Sequence, residues 1–113
     1  MNFFVTENTH FALVTSKVDK LDASNASDLK NELIILNKKG INSIVIDLSA
    51  TKYCDSSGLS AILVANRLCK DTNGKFALSG LQANVTKMIA ISQLDKVLSI
   101  TSSIEEATEL MAN

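Results

Sequence analysis

Residues 44–60 read IVIDLSATKYCDSSGLS, a short apolar run that leads through a polar segment into the start of a helix. The run from Ile44 to Leu48 is rich in branched side chains and too short for a helix, which is typical of a central strand covered on both faces. Apolar residues then recur at helical spacing from Ser57 to Lys70. A buried strand followed by a helix indicates an α/β domain.

Strand and helix patterns alternate on both sides of this stretch. Upstream, we expect an antiparallel pair at 3–6 and 11–15, then a helix with its apolar residues at Ala26, Leu29, Leu33 and Leu36. Downstream, we expect a strand at 75–79, a helix capped by Asn84, a strand at 97–100 and a helix opened by Ser103. This order predicts one α/β domain over residues 1–113, with a mixed, mostly parallel sheet of about five strands and about four helices.

The composition excludes several classes of protein. The 113 residues include 11 basic and 12 acidic side chains, and no basic run marks a surface for direct nucleic-acid binding. No apolar stretch approaches the roughly 20 residues that membrane insertion requires. The N-terminal residues lack the basic and apolar regions of a signal peptide, so we expect a cytoplasmic protein.

The sequence offers little for metal binding, disulfide formation or catalysis. Cys54 and Cys69 lie near opposite ends of the predicted second helix, roughly 18–20 Å apart, so we expect free thiols. With His10 as the single histidine, we expect no metal site, and nothing indicates a cofactor. Ser57 has no nearby candidate base, and Gly58 stands alone without a phosphate-binding loop. We therefore expect a protein that is not an enzyme.

The second helix is apolar on two sides. One stripe contains Leu59, Ile62 and Leu63, and the other contains Ala61, Val64, Ala65 and Leu68. A surface helix needs one such stripe to face its own core. The second stripe indicates either a surface for a partner protein or additional burial within the domain.

The segment before this helix contains three residues that could cap it. Ser56 or Ser57 fits the N-cap position, and Asp55 is an equally good cap, as Asp22 is for the first helix. The alternative is a regulatory role, since a phosphate on one of these serines would lie at the positive end of the helix.

Several of these features together resemble the STAS domain of bacterial anti-sigma factor antagonists, or anti-anti-sigma factors. They are the strand at 44–48, the segment from Tyr53 to Leu59, Gly74 with the following strand, and the Leu21-Asp22 step before the first helix. The resemblance covers nearly the whole chain and implies the STAS fold.

The resemblance also implies a function. Ser57 would be phosphorylated by a serine kinase of the histidine-kinase-like ATPase type, which doubles as the anti-sigma factor, and a PP2C-type phosphatase would reverse the modification. The unphosphorylated domain would bind that kinase and so free the sigma factor. The implied partner-binding residues are Asp22, Asp55, Ser56, Gly58, Leu59, Ala61, Val64, Ala65 and Leu68.

Other interpretations stay open. Ser60 stands where the family often has a small residue such as glycine and adds a third hydroxyl, so Ser56, Ser57 and Ser60 all remain candidate acceptors of the phosphate. The same fold could be a subunit of a lipid-transporting ABC complex that docks on its ATPase. A third alternative, from another class, is a nucleotide-binding or weakly hydrolysing domain.

Overall fold

The computed structural model describes residues 2–112. Four α-helices alternate with short strands after an initial hairpin, as the apolar patterns predict. In chain order the elements are β1 (Phe3–Glu7), β2 (Ala12–Ser16), β3 (Lys20–Leu21), α1 (Ala26–Lys38), β4 (Ile44–Asp47), β5 (Tyr53–Cys54), α2 (Ser56–Asp71), β6 (Phe76–Ser79), α3 (Ala83–Ile91), a 3₁₀ turn (Leu94–Lys96), β7 (Ser99–Thr101) and α4 (Ile104–Ala112).

The main sheet has five strands in the order β1-β2-β4-β6-β7. β1 and β2 are antiparallel, whereas the remaining neighbours are parallel. Ile44 of the central strand pairs with Ala12 on one side and Phe76 on the other. The predicted α/β class, with a mixed and mostly parallel sheet of five strands and four helices, is therefore confirmed.

Both faces of the central strand are buried, as its unbroken apolar run predicts. Ile44 and Ile46 pack in the larger core with the apolar residues of α1, α2 and α3. Val45 points to the opposite face, where it packs with Ala107 and Met111 of α4. This double coverage explains why β4 shows no alternation of apolar and polar residues.

A second, two-stranded sheet was not predicted. β3 and β5 run parallel, with Lys20 opposite Tyr53 and Leu21 opposite Cys54. Two residues are too few to produce an alternating pattern in a sequence. This small sheet nevertheless places the chain before α1 beside the chain before α2.

Two helix ends behave as expected and one does not. Gly40 adopts a positive φ of 88° just after α1, and Ser103 accepts a hydrogen bond of 3.1 Å from the Glu106 N–H at the start of α4. The prediction that Asn84 caps α3 is wrong, because the helix begins earlier and Gln82 is its N-cap residue. The last strand also begins later than expected, at Ser99, because the N–H groups of Val97 and Leu98 donate hydrogen bonds to the Leu94 carbonyl oxygen of the preceding 3₁₀ turn. Among the helices of residues 2–112, none is long and apolar enough to cross a membrane.

Candidate functional site

Asp55 caps helix α2. Its Oδ1 atom accepts hydrogen bonds from the backbone N–H groups of Ser57 (2.9 Å) and Gly58 (3.0 Å), and its extended backbone conformation suits the N-cap position. Its carbonyl oxygen accepts the next bond, from the Leu59 N–H. The predicted alternative, in which Ser56 or Ser57 is the cap, is wrong. The cap uses the Ser57 backbone and not its side chain.

The serine hydroxyls of this first turn are consequently left outside the capping interactions. Ser56 and Ser60 are exposed, and Ser57 is half-buried. Among the hydrogen bonds that involve side chains within residues 2–112, Ser57 takes part through its backbone N–H and not through its hydroxyl. A hydroxyl in this position can be modified without removing a bond that holds the helix.

Gly58 allows α2 to lie directly against β3. The Leu21 carbonyl oxygen accepts a hydrogen bond of 3.1 Å from the Asp55 N–H, which fixes its position. A Cβ atom on residue 58 would collide with that oxygen and would lie 2.7 Å from Cys54 Sγ. Gly58 is therefore required by close packing beside the serines.

Asp22 follows β3 as Asp55 follows β5, so the parallel pairing brings both acidic residues to the same end of the small sheet. The Asp22 carboxylate accepts hydrogen bonds from the Ser24 hydroxyl (2.6 Å) and the Ser24 N–H (3.0 Å). These two bonds lower the pKa of Asp22, which is therefore ionised at neutral pH. The prediction that its side chain caps α1 is wrong, because Asn25 is the N-cap residue there.

A shallow groove of about 300 Å³ separates the starts of α1 and α2. Lys30 is the charged residue among those that line it. The lining residues are Ala23, Ala26, Ser27, Lys30, Ser56, Ser57 and Ser60. All three candidate acceptor serines therefore share one surface with the first two turns of α1.

Some of the predicted partner-binding residues of α2 are buried in the core, and others lie at the surface. Leu59 is 7% exposed and Ala61 and Ala65 are fully buried, so these residues belong to the core, and the expectation that they meet a partner is wrong. Gly58 is also buried. Val64 and Leu68 of the second stripe are half-buried and remain at the surface. The double apolar pattern thus reflects additional burial for the alanines, because α2 is covered by both the sheet and α1.

Both cysteines are free thiols, as predicted. Burial, with the neighbouring Asp55 charge as a smaller cause, raises the pKa of Cys54 to about 12. Burial also raises the pKa of Cys69 to about 11, against a lowering contribution from the Ile44 backbone. Neither thiol is a reactive nucleophile at neutral pH.

Comparison with known proteins gives one consistent family. The family model for the STAS domain matches residues 4–107. The "Putative anti-sigma factor antagonist BtrV" of Bordetella bronchiseptica is 28% identical over 87 residues, which are 77% of this chain and 75% of the relative. The crystal structure of the Thermotoga maritima protein TM1081, which has the same description, superimposes with a TM-score of 0.88 at 26% identity, covering 98% of this chain and 95% of that chain.

A more distant neighbour exists in two chemical states. The anti-sigma factor antagonist SpoIIAA superimposes with a TM-score of 0.82 in its unphosphorylated form, at 16% identity over 98% of this chain and 97% of its own. The phosphorylated SpoIIAA from Bacillus gives a TM-score of 0.73 at 17% identity, over 95% of this chain and 96% of its own. At these identities the similarity shows a shared fold.

Proposed function

The chain belongs to the STAS domain family, and on that basis we propose that it is an anti-sigma factor antagonist controlled by phosphorylation of Ser57. It is a binding module made of one STAS domain, without catalysis of its own, and it works in the cytoplasm. The observation that carries the proposal is the cap made by Asp55, which leaves the Ser57 hydroxyl outside the bonds that hold α2.

We infer the partners from the resemblance to the family. The unphosphorylated domain binds an anti-sigma factor that is also a serine kinase of the histidine-kinase-like ATPase type. Phosphorylation of Ser57 by that kinase releases the complex, and a PP2C-type phosphatase restores the binding form. The BtrV relative and the two chemical states of SpoIIAA support this cycle.

The fold should tolerate the modification. A phosphoserine adds about −1.5 to −2 charges at neutral pH. The N-terminus of α2 favours that charge by about 0.3–1 kcal/mol, and the Asp55 carboxylate opposes it. These two contributions are small and of opposite sign, so phosphorylation should leave the folded state populated.

The complex with the kinase, in contrast, should be weakened by phosphorylation of Ser57. Two like unit charges held 4 Å apart at an interface repel by about 4 kcal/mol at an effective dielectric constant of 20. A change of that size weakens binding by about three orders of magnitude. An acidic group of the kinase that meets the phosphate would therefore be enough to dissociate the partners.

The docking surface, in this proposal, surrounds the first turn of α2. It contains the acidic pair Asp22 and Asp55, the exposed Ser56, and the half-buried Val64 and Leu68 further along the helix. The two carboxylates help the kinase and the phosphatase to recognise the acceptor serine. Val64 and Leu68 supply apolar contact area, which is depleted of charge as interface centres generally are.

Two measurements test the proposal. Mass spectrometry of the protein purified from its own host, with and without phosphatase treatment, should find the phosphate on Ser57 and not on Ser56 or Ser60. The serine kinase that copurifies should then bind the unmodified protein and the Ser57→Ala variant in calorimetry. The Ser57→Asp variant should remain folded and lose its affinity for the kinase. Ser60→Ala, on the same turn of α2, is the matched control and should bind the kinase as the unmodified protein does.

The proposal fails if Ser57→Asp and the authentically phosphorylated protein both bind the kinase as tightly as the unmodified chain. Copurification of a transporter ATPase in place of the kinase would instead identify a subunit of an ABC complex. Heat on titration with ATP or GTP would support a nucleotide-binding domain.

A further inference from the structure

We propose that Lys30 of helix α1 binds the phosphoryl group of modified Ser57 and holds it within the groove between α1 and α2. This inference rests on the proposed function and adds to it a residue that recognises the modification within the same chain. It concerns a side chain on a different helix from the acceptor.

The geometry of the groove places Lys30 beside the serines. Ser27 and Lys30 lie one turn apart on α1 and line the same depression as Ser57 and Ser60 of α2. At the far ends of the two helices, Asn37 Nδ2 donates a hydrogen bond of 3.3 Å to Thr72 Oγ1. Helices α1 and α2 also pack against each other, so the wall that carries Lys30 lies beside the turn that carries Ser57.

Lys30 forms no ion pair with the other residues between 2 and 112. The ion pairs within residues 2–112 join Lys39 to Glu7 and Lys52 to Asp19, so the half-buried Lys30 takes part in neither. Its neighbours in the groove are alanines and serine hydroxyls, which offer it no negative partner. A flexible four-carbon stem with three N–H donors can reach an anion that appears on the opposite wall.

Among residues 2–112, the acidic side chains nearby form no ion pair with Lys30. Asp55 accepts the N–H groups of Ser57 and Gly58, and Asp22 accepts both donors of Ser24. Asp28 of α1 lines a different depression, together with Glu32. The described residues that line the groove include no acidic side chain, so a phosphate on Ser57 would bring a negative group into the groove opposite Lys30.

Charge-assisted hydrogen bonds of this type favour the doubly ionised phosphate. Lys30 should therefore lower the second pKa of the phosphoserine and draw the phosphate towards α1. In this arrangement α1 contributes to the response to phosphorylation, because the phosphate on Ser57 would fill the groove between α1 and α2 at the edge of the docking surface.

The test uses full-length protein in which phosphoserine is inserted at position 57 by genetic encoding, so no kinase is needed. Phosphorus NMR titration should give a second ionisation constant about two- to fivefold larger with Lys30 than with Lys30→Met. Lys30→Arg should preserve most of the effect, and about 1 M salt should diminish it. Lys87→Met, which removes an exposed lysine from α3, is the matched control and should match the parent protein.

Equal ionisation constants for the parent and Lys30→Met proteins would overturn the inference, as would the same change in Lys87→Met. Proton NMR spectra of each variant establish that the fold is intact. Either result would leave the proposed control of kinase binding standing, because that proposal is tested by the binding measurements on Ser57 variants.

Discussion

The carbonyl oxygen of Leu21 lies where a side chain on residue 58 would have to begin, and Gly58 is the residue that leaves this space open. Moving this oxygen away would break a hydrogen bond, because it also accepts the Asp55 N–H at 3.1 Å. Strand β3 and the first turn of α2 are therefore in direct backbone contact. This contact joins the Leu21-Asp22 step to the serine segment.

Replacing Gly58 with alanine should destabilise the protein by about 1–3 kcal/mol, because the added methyl group meets the backbone of Leu21. The sign is informative, since alanine in place of glycine within a helix normally stabilises by roughly 0.5–1 kcal/mol. Urea unfolding measures the difference. The matched control, Ser60→Ala on the same turn, should change the free energy of unfolding by less than about 0.5 kcal/mol. A more stable Gly58→Ala protein would contradict the close contact.

Replacing Asp55 with alanine should lower the free energy of unfolding by about 0.5–2 kcal/mol, because the N–H groups of Ser57 and Gly58 lose their acceptor. Asp55→Asn retains an acceptor oxygen and should recover most of that loss. Chemical denaturation of the two variants beside the parent protein gives the comparison. Equal losses in both variants would assign the effect to the carboxylate charge and not to the cap.

Ser79 and Thr101 form a contrasting pair of buried hydroxyls. Ser79 Oγ has no hydrogen-bond partner within the described chain, whereas Thr101 Oγ1 donates to the Leu78 carbonyl oxygen at 2.9 Å. Ser79→Ala removes a desolvated group and should leave stability unchanged or raise it by up to about 1 kcal/mol. Thr101→Val should lower it by about 1 kcal/mol. Thermal and urea unfolding measure the stability of both variants. A clear loss of stability in Ser79→Ala would mean that the Ser79 hydroxyl forms a hydrogen bond in the folded protein.

The buried thiols should make the protein less stable at high pH. The pKa values of Cys54 and Cys69 are raised from 9.0 to about 12 and about 11, so the unfolded chain loses these protons first. Their contribution to stability is complete below about pH 9 and is lost as the pH rises towards 11–12. Unfolding free energies at about pH 8 and about pH 10 should therefore differ more for the parent than for a Cys54→Ala, Cys69→Ala double variant. An equal pH dependence in both proteins would show that the thiols ionise normally in the fold.

Local sequence patterns predicted the parts of the fold that bury long periodic segments. The run from Ile44 to Leu48 indicated the central strand, and Leu29, Leu33 and Leu36 indicated the buried face of α1, because each pattern follows directly from the period of its element. Pairings between distant short segments leave no such pattern. The sheet of β3 and β5 was missed for this reason.

The sequence predicted which residues begin helix α2 but not the role of each residue there. Asp55, Ser56 and Ser57 all have side chains that cap helices, and the choice among them depends on the extended backbone at Asp55. The burial of Ala61 and Ala65 depends on how closely α1 lies to α2, which composition does not reveal. Lys30 was missed because nothing in the sequence brings it near the serines.

The pairing of Leu21 with Cys54 joins segments that are far apart in the chain, so the surface around Ser57 is assembled by folding. A peptide limited to residues 50–62 carries the serines but lacks both Asp22 and the wall of α1. A regulator that requires all of these features would ignore nascent, damaged or partly degraded copies. Under the proposed function, the amount of active regulator in the cell would equal the number of intact molecules. Protein quality control would then influence how much anti-sigma factor is bound.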